Sequence, residues 1–416
     1  MKQPLLLNMQ QQELIPHLFR TESGRITAVL CKLFGIANVN IAEDITSETF
    51  LAALNTWPYK GIPQNPQAWL YTVAKNKAKN ALSRQQLFNN TISPAVQAEL
   101  VTEHEMEIDL SDDNITDSQL QMLFALCHPL IPAEAQIGLA LRILCGFGID
   151  EIAGAFLSNK ETINKRLFRA KEKLRTENVK LEFPPENELS GRLQSVLTTL
   201  YLLFNEGYYS ETENTILRQE LCEEAMRLTK MLLNFPLTNK PEVNALFALM
   251  CFHASRFDAR KDKNGNVVLY NDQDDDLWDK KLIAEGAAYL SEASQGSYLS
   301  KYHIEAGIAY WHTIKADTRE KWESILQLYN HLLSVEYSPV AALNRTYALA
   351  KVKGNEAAII EAEKLNLANN HFYHTLLGEL YKDTDAVKAK EHFMQALKLA
   401  KTNTDKRTIF SKIDAL

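Results

Sequence analysis

The segment from Lys160 to Arg175 carries side chains suited to holding a polyanion. Ile163, Leu167, Ala170 and Leu174 repeat there at helical spacing, and Lys160, Lys165, Arg166, Arg169, Lys171, Lys173 and Arg175 fall between them. That spacing predicts one helix with an apolar stripe and cations on its other faces. Ser158 with Glu161 forms a capping-box pattern at its start. Asn164 and Lys165 have the donors and acceptors for base edges, Lys160 and Arg166 can reach bases or phosphates, and Arg169 and Lys171 suit phosphates. A solvated face is the competing explanation, and it fits Lys173 and Arg175 best.

Other elements must position this helix. Gly146 and Gly148 break a helix predicted over 133–144, Glu151-Ile152-Ala153 opens a short helix over 150–156, and the chain turns after Leu157. Two helices joined in this way form a helix-turn-helix, whose second member enters the major groove. Further upstream the periodicity predicts helices over 11–33 and 42–54, and a third after Pro63-Gln64-Asn65-Pro66. From Gln64 to Ser93 there are four cations, Lys75, Lys77, Lys79 and Arg84, and no acid. From Thr91 to Leu120 there are eight acids and no Lys or Arg. Charge therefore alternates basic, acidic, basic. The acidic stretch reads as a linker between two small domains, and as a tether able to mask a basic surface.

Beyond Pro184-Pro185 the chain is again helical in pattern. Leu343, Asn344 and Tyr347 recur 34 residues later as Leu377, Gly378 and Tyr381, followed by Ala389, Phe393 and Ala396. This is close to a tetratricopeptide pattern. The expected architecture is all-α. A first domain spans 10–90, an acidic linker 91–116, a helix-turn-helix domain 117–180, a helical extension 188–325 and tetratricopeptide-like repeats 326–416.

Composition excludes several classes. The 416 residues are 46% hydrophobic and 23% charged, with net charge −7, so the chain is not basic throughout and any anion-binding face is local. No apolar run of about 20 residues could span a membrane, and the N-terminus lacks a signal-peptide h-region. A cytoplasmic location without membrane contact is expected. The five cysteines are widely spaced with no CxxC, which argues against disulfides and cysteine zinc sites. Cys127-His128 is a pair short of further ligands, and His104-Glu105 lacks the second His of a zincin. There is no nucleophile–base set and no Gly-rich phosphate loop. No enzyme activity, cofactor, metal or catalytic residue is predicted.

At this point a resemblance becomes specific. Glu151-Ile152-Ala153, Leu157, Thr162-Ile163, Arg166-Leu167, Arg169-Ala170-Lys171 and Leu174-Arg175 resemble region 4 of bacterial sigma factors. Ala42-Glu43-Asp44 through Phe50, with Trp69 to Asn76, resembles region 2. The short chain between them points to the extracytoplasmic-function class. Tyr201–Tyr208, Leu221–Met226, Ala245–Met250, Phe252–Arg256 and Asp272-Gln273-Asp274 with Trp278 resemble a subfamily with a fused helical extension.

The resemblance implies a sigma factor that binds core RNA polymerase and directs promoter-specific initiation. Glu43, Asp44 and Glu48 would then face the polymerase, with Asp44 and Glu48 on one side of a helix. Lys75, Lys77, Lys79 and Arg84 would track DNA near the −10 element. Tyr71 would be the exposed aromatic that stacks on opened bases, and Trp69 would belong to the core. Region 4 would read the −35 element. The extension would regulate in cis, and its repeats would offer a surface to a peptide or protein partner. Ser47, Asn80 and Ile149 depart from common family residues, and Ile149 leaves the short helix without its usual cap. Two other readings use only part of the chain. A helical-repeat interaction protein does not need the basic capped helix. A DNA-binding regulator without a polymerase role does not need the region 2-like segment.

Overall fold

The computed structural model describes residues 3–92, 108–156, 158–209, 215–260, 268, 270–296, 298–400 and 403–416. Its regular elements are helical, with no strand among the described residues. The chain divides into two compact units, Met1–Met231 and Leu232–Leu416. The expected boundary near 188 therefore lies inside the first unit.

Among the described residues the first unit contains the α-helices α1 (Gln3–Phe34), α2 (Val39–Lys60), α3 (Pro66–Ile92), α4 (Asp112–Leu126), α5 (Ala133–Leu139), α6 (Ile149–Ala155), α7 (Lys160–Thr176), α8 (Glu186–Tyr209) and α9 (Thr215–Asn234), the last crossing the division. Helix α1 is the central element and packs on α2, α3 and α4. Its apolar residues Ile26, Val29 and Leu30 are buried, as expected from their spacing. Gly24 allows the closest approach. A Cβ there would lie 2.0 Å from the carbonyl oxygen of Leu144, in the π-helical turn Ala140–Leu144 that continues α5.

Helix α4 starts at Asp112 rather than the expected 117, because the Ser111 hydroxyl accepts the Asn114 N–H and Asp112 and Asp113 suit the helix N-terminus. The end of the predicted linker is thus helix. Its acids Glu99, Glu103, Glu105 and Glu107 lie outside the described residues, as does Leu157 of the predicted turn. Helix α8 buries Leu189, Leu193, Val196 and Leu197. It is held to α4 by Arg192 donating to the Phe124 carbonyl at 2.7 Å, and to α5 by a buried Thr199–Gln136 hydrogen bond of 2.8 Å.

The second unit contains α10 (Pro241–Ala254), α11 (Lys280–Ala293), α12 (Lys301–Trp311), α13 (Arg319–Val335), α14 (Pro339–Lys353), α15 (Asn355–Lys364), α16 (His371–Tyr381), α17 (Ala386–Leu399) and α18 (Asn403–Asp414). The 34-residue sequence repeat sits on α14 and α16. Leu343 and Leu377 fill one core with Ala358, Ala362 and Tyr373. Gly378 lets α17 close on α16, since a Cβ there would meet the Phe393 ring at 2.6 Å. The Asp272–Trp278 segment is tied down by Lys315, whose ammonium donates to the carbonyls of Tyr270, Asn271 and Gln273.

Candidate nucleic-acid and protein interface

Helix α7 buries Ile163, Leu167, Ala170 and Leu174, the stripe the sequence predicts, and packs on α5 and α6. Its cap is Asn159, whose side-chain oxygen accepts the Thr162 N–H at 2.8 Å. Ser158 is not the cap, because the helix begins one residue later than a Ser158–Glu161 box requires. The short helix α6 does not suffer from Ile149. The Glu151 carboxylate accepts the Gly148 N–H at 2.6 Å and satisfies that end.

The predicted DNA-binding residues of α7 divide by environment. Asn164, Lys165 and Arg169 are exposed. Arg166 is half-buried, with its guanidinium 6.0 Å over the Phe156 ring. Lys160 is exposed and pairs with Asp150 at 2.5 Å. Lys173 and Arg175 pair with Glu177 and Glu172 along the helix, so the solvated-face description suits them. Lys171 differs from all of these. Its ammonium lies 2.5 Å from the Glu43 carboxylate and 3.2 Å from the Asn40 side chain, so its partners are on α2 and it is not free for phosphate.

On α2, Asp44 and Glu48 are exposed on one side, as their spacing requires. They rim an apolar groove of about 1020 Å³ whose lining includes Phe19, Leu51, Leu54 and Trp57. Leu51 and Leu54 are more than half exposed. Glu48 also pairs with Lys77 of α3 at 2.7 Å. Glu43 is apart from this group: besides Lys171 it meets Arg142 Nε at 3.3 Å, and its side chain is only 16% exposed. Beside this cluster the Cys31 thiol is fully buried, and burial pushes its pKa far up.

On α3, Lys79 and Arg84 are exposed and Lys75 is half-buried. Tyr71 is not a free aromatic. It is half-buried, and its hydroxyl donates to Glu22 at 2.7 Å and accepts from Gln67. Burial, reinforced by the Glu22 carboxylate, pushes its pKa up to about 12. Trp69 is half-buried edge-on against Trp57, with ring centroids 5.4 Å apart.

Three contributors escaped the sequence reading. Arg142 is the lone cation in the run Leu139–Leu144, a position that demands a partner. Phe168 is 64% exposed on α7, where the stripe spacing leaves it off the buried face. Arg20 of α1 bonds Glu151 at 2.6 Å and Glu220 at 3.3 Å and lies 3.8 Å over the Phe147 ring, joining α1, α6 and α9. No local pattern announces those long-range pairs.

Comparison with known proteins fits this geometry. The family described as Sigma-70 region 2 matches residues 18–88, which cover α2 and most of α1 and α3. A family of unknown function (DUF6596) matches residues 192–294. An uncharacterized protein of Rhizobium meliloti (strain 1021) is 35% identical over 402 residues, covering 95% of this chain and 94% of that protein. The ECF RNA polymerase sigma-E factor of Haemophilus influenzae (strain ATCC 51907 / DSM 11121 / KW20 / Rd) is 26% identical over 137 residues, 32% of this chain and 72% of that factor. No solved structure matches. The chain belongs to the sigma-70-like extracytoplasmic-function sigma factors, within a group that carries a C-terminal helical extension. That family acts in transcription initiation with core RNA polymerase and promoter DNA and is not a family of enzymes. Among the described residues no helix is long and apolar enough to cross a membrane.

Proposed function

We propose that this chain directs promoter-specific initiation through the two faces just described. Asp44 and Glu48, with the apolar groove beside them, take the polymerase. Lys75, Lys79 and Arg84 follow the backbone near the −10 element, and Tyr71 stacks on an opened base once its Glu22 bond is released. Asn164, Lys165, Arg166 and Arg169 read the −35 element, with Lys160 on adjacent phosphate. The observation that carries this reading is α7 itself. It is a capped helix whose buried stripe leaves Asn164, Lys165 and Arg169 outward, in the same compact unit as the segment matching sigma-70 region 2.

The extension regulates in cis. Support comes from α8 and α9, which hold to α4, α5 and α1 through Arg192, Thr199 and Glu220. The repeats on α14 to α17 supply a surface for a peptide or protein partner.

Run-off transcription with core polymerase over a library of promoter fragments tests the main reading. Discrete start sites that need the added protein are expected, and no binding to core polymerase would end it. Comparison of the full chain with one ending near Lys180 tests regulation in cis. Equal yield, start site and salt dependence from both would rule it out.

A further inference from the structure

The turn Tyr270–Trp278 of the second unit has no part in the faces described above, although it lies within the segment 192–294 that matches DUF6596. It meets the start of α13, where three ammoniums gather around one carboxylate. Lys321 is 1% exposed. Two of its three N–H groups go to the Tyr270 hydroxyl at 3.0 Å and the Ile314 carbonyl at 2.6 Å, which leaves one. Lys315, spent on the carbonyls of the turn, lies 5.5 Å over the Tyr270 ring and 5.8 Å over the Trp278 ring. Lys351 of α14 pairs with Asp317 at 2.9 Å and stands 5.5 Å over Trp322. Asp317 also accepts the Trp322 indole N–H. Asp272, Asp274, Asp275 and Asp276 of the turn are exposed.

The balance of charge and hydrogen bonds here is incomplete. Burial lowers the Lys321 pKa, Asp317 raises it, and Arg256, Lys315 and Lys351 lower it further. The first turn of α13 adds its own partial positive charge. Beside Lys315, the Trp278 Nε1–H and the Gln273 Oε1 are buried with no hydrogen-bond partner among the described residues. An open buried donor, an open buried acceptor and an ammonium short of matching charge are all costly. One species answers all three. Hydrogenphosphate carries more than one negative charge near neutral pH, accepts several N–H groups and donates an O–H. A carboxylate has one charge and no donor.

We propose that the second unit binds inorganic phosphate between the Tyr270–Trp278 turn and the start of α13. Lys321 and the Trp278 indole donate to its oxygens, Gln273 accepts its O–H, and Lys351 supplies charge on the solvent side. Lys321, Gln273 and Trp278 are each under 10% exposed, which favours the free ion over a phosphate carried on a larger body. The inference does not depend on the sigma reading, and binding is measured without polymerase or promoter.

The test is a titration of the full chain, with isotope-labelled indole nitrogens, followed by magnetic resonance. The chain has five tryptophans, and Trp278→Phe assigns the Trp278 signal. Sodium phosphate at constant ionic strength should move that signal and saturate it. Trp57 and Trp69 of the first unit should stay in place, which separates this site from phosphate on the cations of α7. Chloride and acetate should leave the Trp278 signal where it is. Lys321→Met should weaken phosphate binding about tenfold to a hundredfold, the loss of one charge-assisted hydrogen bond. Lys351→Gln, outside the core, keeps the test open where Lys321→Met fails to fold, and it should weaken binding up to about fivefold. A Trp278 signal unmoved by phosphate, or moved as far by acetate, would overturn the site. Unchanged affinity in Lys351→Gln and in folded Lys321→Met would overturn its assignment to these residues. Tighter binding of glycerol phosphate than of phosphate would overturn the choice of the free ion.

Discussion

Replacing Gly24 by Ala should strain the seam between α1 and the π-helical turn Ala140–Leu144. A Cβ there would lie 2.0 Å from the Leu144 oxygen, 2.6 Å from its carbon and 3.1 Å from its Cα. All three are backbone atoms, so no side chain can rotate aside. Restoring van der Waals contact needs more than about 1 Å of movement between α1 and the π-helical turn. Overpacking of this kind costs about 1–3 kcal/mol or more, and the better helix propensity of Ala returns about 1 kcal/mol. The expected net loss is up to about 2 kcal/mol or more. Gly154→Ala on α6 is the control, since it is exposed and its Cβ would meet nothing within 4 Å. It should gain up to about 1 kcal/mol. Denaturant unfolding gives both values, and hydrogen exchange should report loosened amides in 140–144 only for Gly24→Ala. Equal midpoints for the two variants would refute the argument from the close approach of α1 and the π-helical turn.

Asn159→Ala should cost about 1 kcal/mol and fray the first turn of α7, whereas Ser158→Ala should cost little; amide exchange at Thr162 separates the two. Charge reversal at both Asp44 and Glu48 should weaken binding to core polymerase, and an unchanged titration would remove these two residues from the contact. Burial, with Arg256 and Lys321 nearby, pulls the His312 pKa down from 6.5 to about 3. The unfolded chain then takes up a proton that the folded one refuses, so stability is full above about pH 6.5 and falls toward pH 3 by up to about 1.4 kcal/mol per unit; His312→Phe should flatten the melting-temperature profile in that window. Freeing Lys171 by Glu43→Gln should steepen the slope of log affinity for duplex DNA against log salt by about 0.9, one extra phosphate contact.

What the sequence reveals about this protein is local. The stripe Ile163, Leu167, Ala170 and Leu174 is legible because each residue buries the same face of one helix, and no other part of the chain is needed to see it. The starts of α2 and α7 are legible to within a few residues, whereas α1 begins at Gln3, eight residues before the expected 11. Ser158 and Asn159 are both competent caps, and only the backbone decides which one has non-helical dihedrals. Pro184-Pro185 opens α8 and does not end a domain, because α8 buries its apolar face on α4 and α5, and periodicity does not say against what a face is buried. The acids between 91 and 120 suggested two tethered bodies. Contacts that join those bodies include Glu43 to Lys171 and Arg20 to Glu151, 128 and 131 residues apart. Neither pair has a spacing that marks it.

One residual signal did exist. A cation inside an apolar helix, such as Arg142, must find an acid or forfeit its burial. The acid it finds is one that sequence resemblance assigns to a different task. Glu43 sits 16% exposed between two cations, while Asp44 and Glu48 stand out in solvent beside the apolar groove. Residues of one type on one helix are thus divided by depth. The two exposed acids face solvent, and the third is engaged with Lys171 and Arg142. The same division runs along α7, where Lys160, Lys173 and Arg175 pair with acids of the same or the adjoining helix at the surface. Such exposed pairs are worth at most about 1 kcal/mol and exchange readily for phosphate. Lys171, inside the seam, does not exchange without moving α2. Lys171 is thus set apart from the other cations of α7 by its partners on α2.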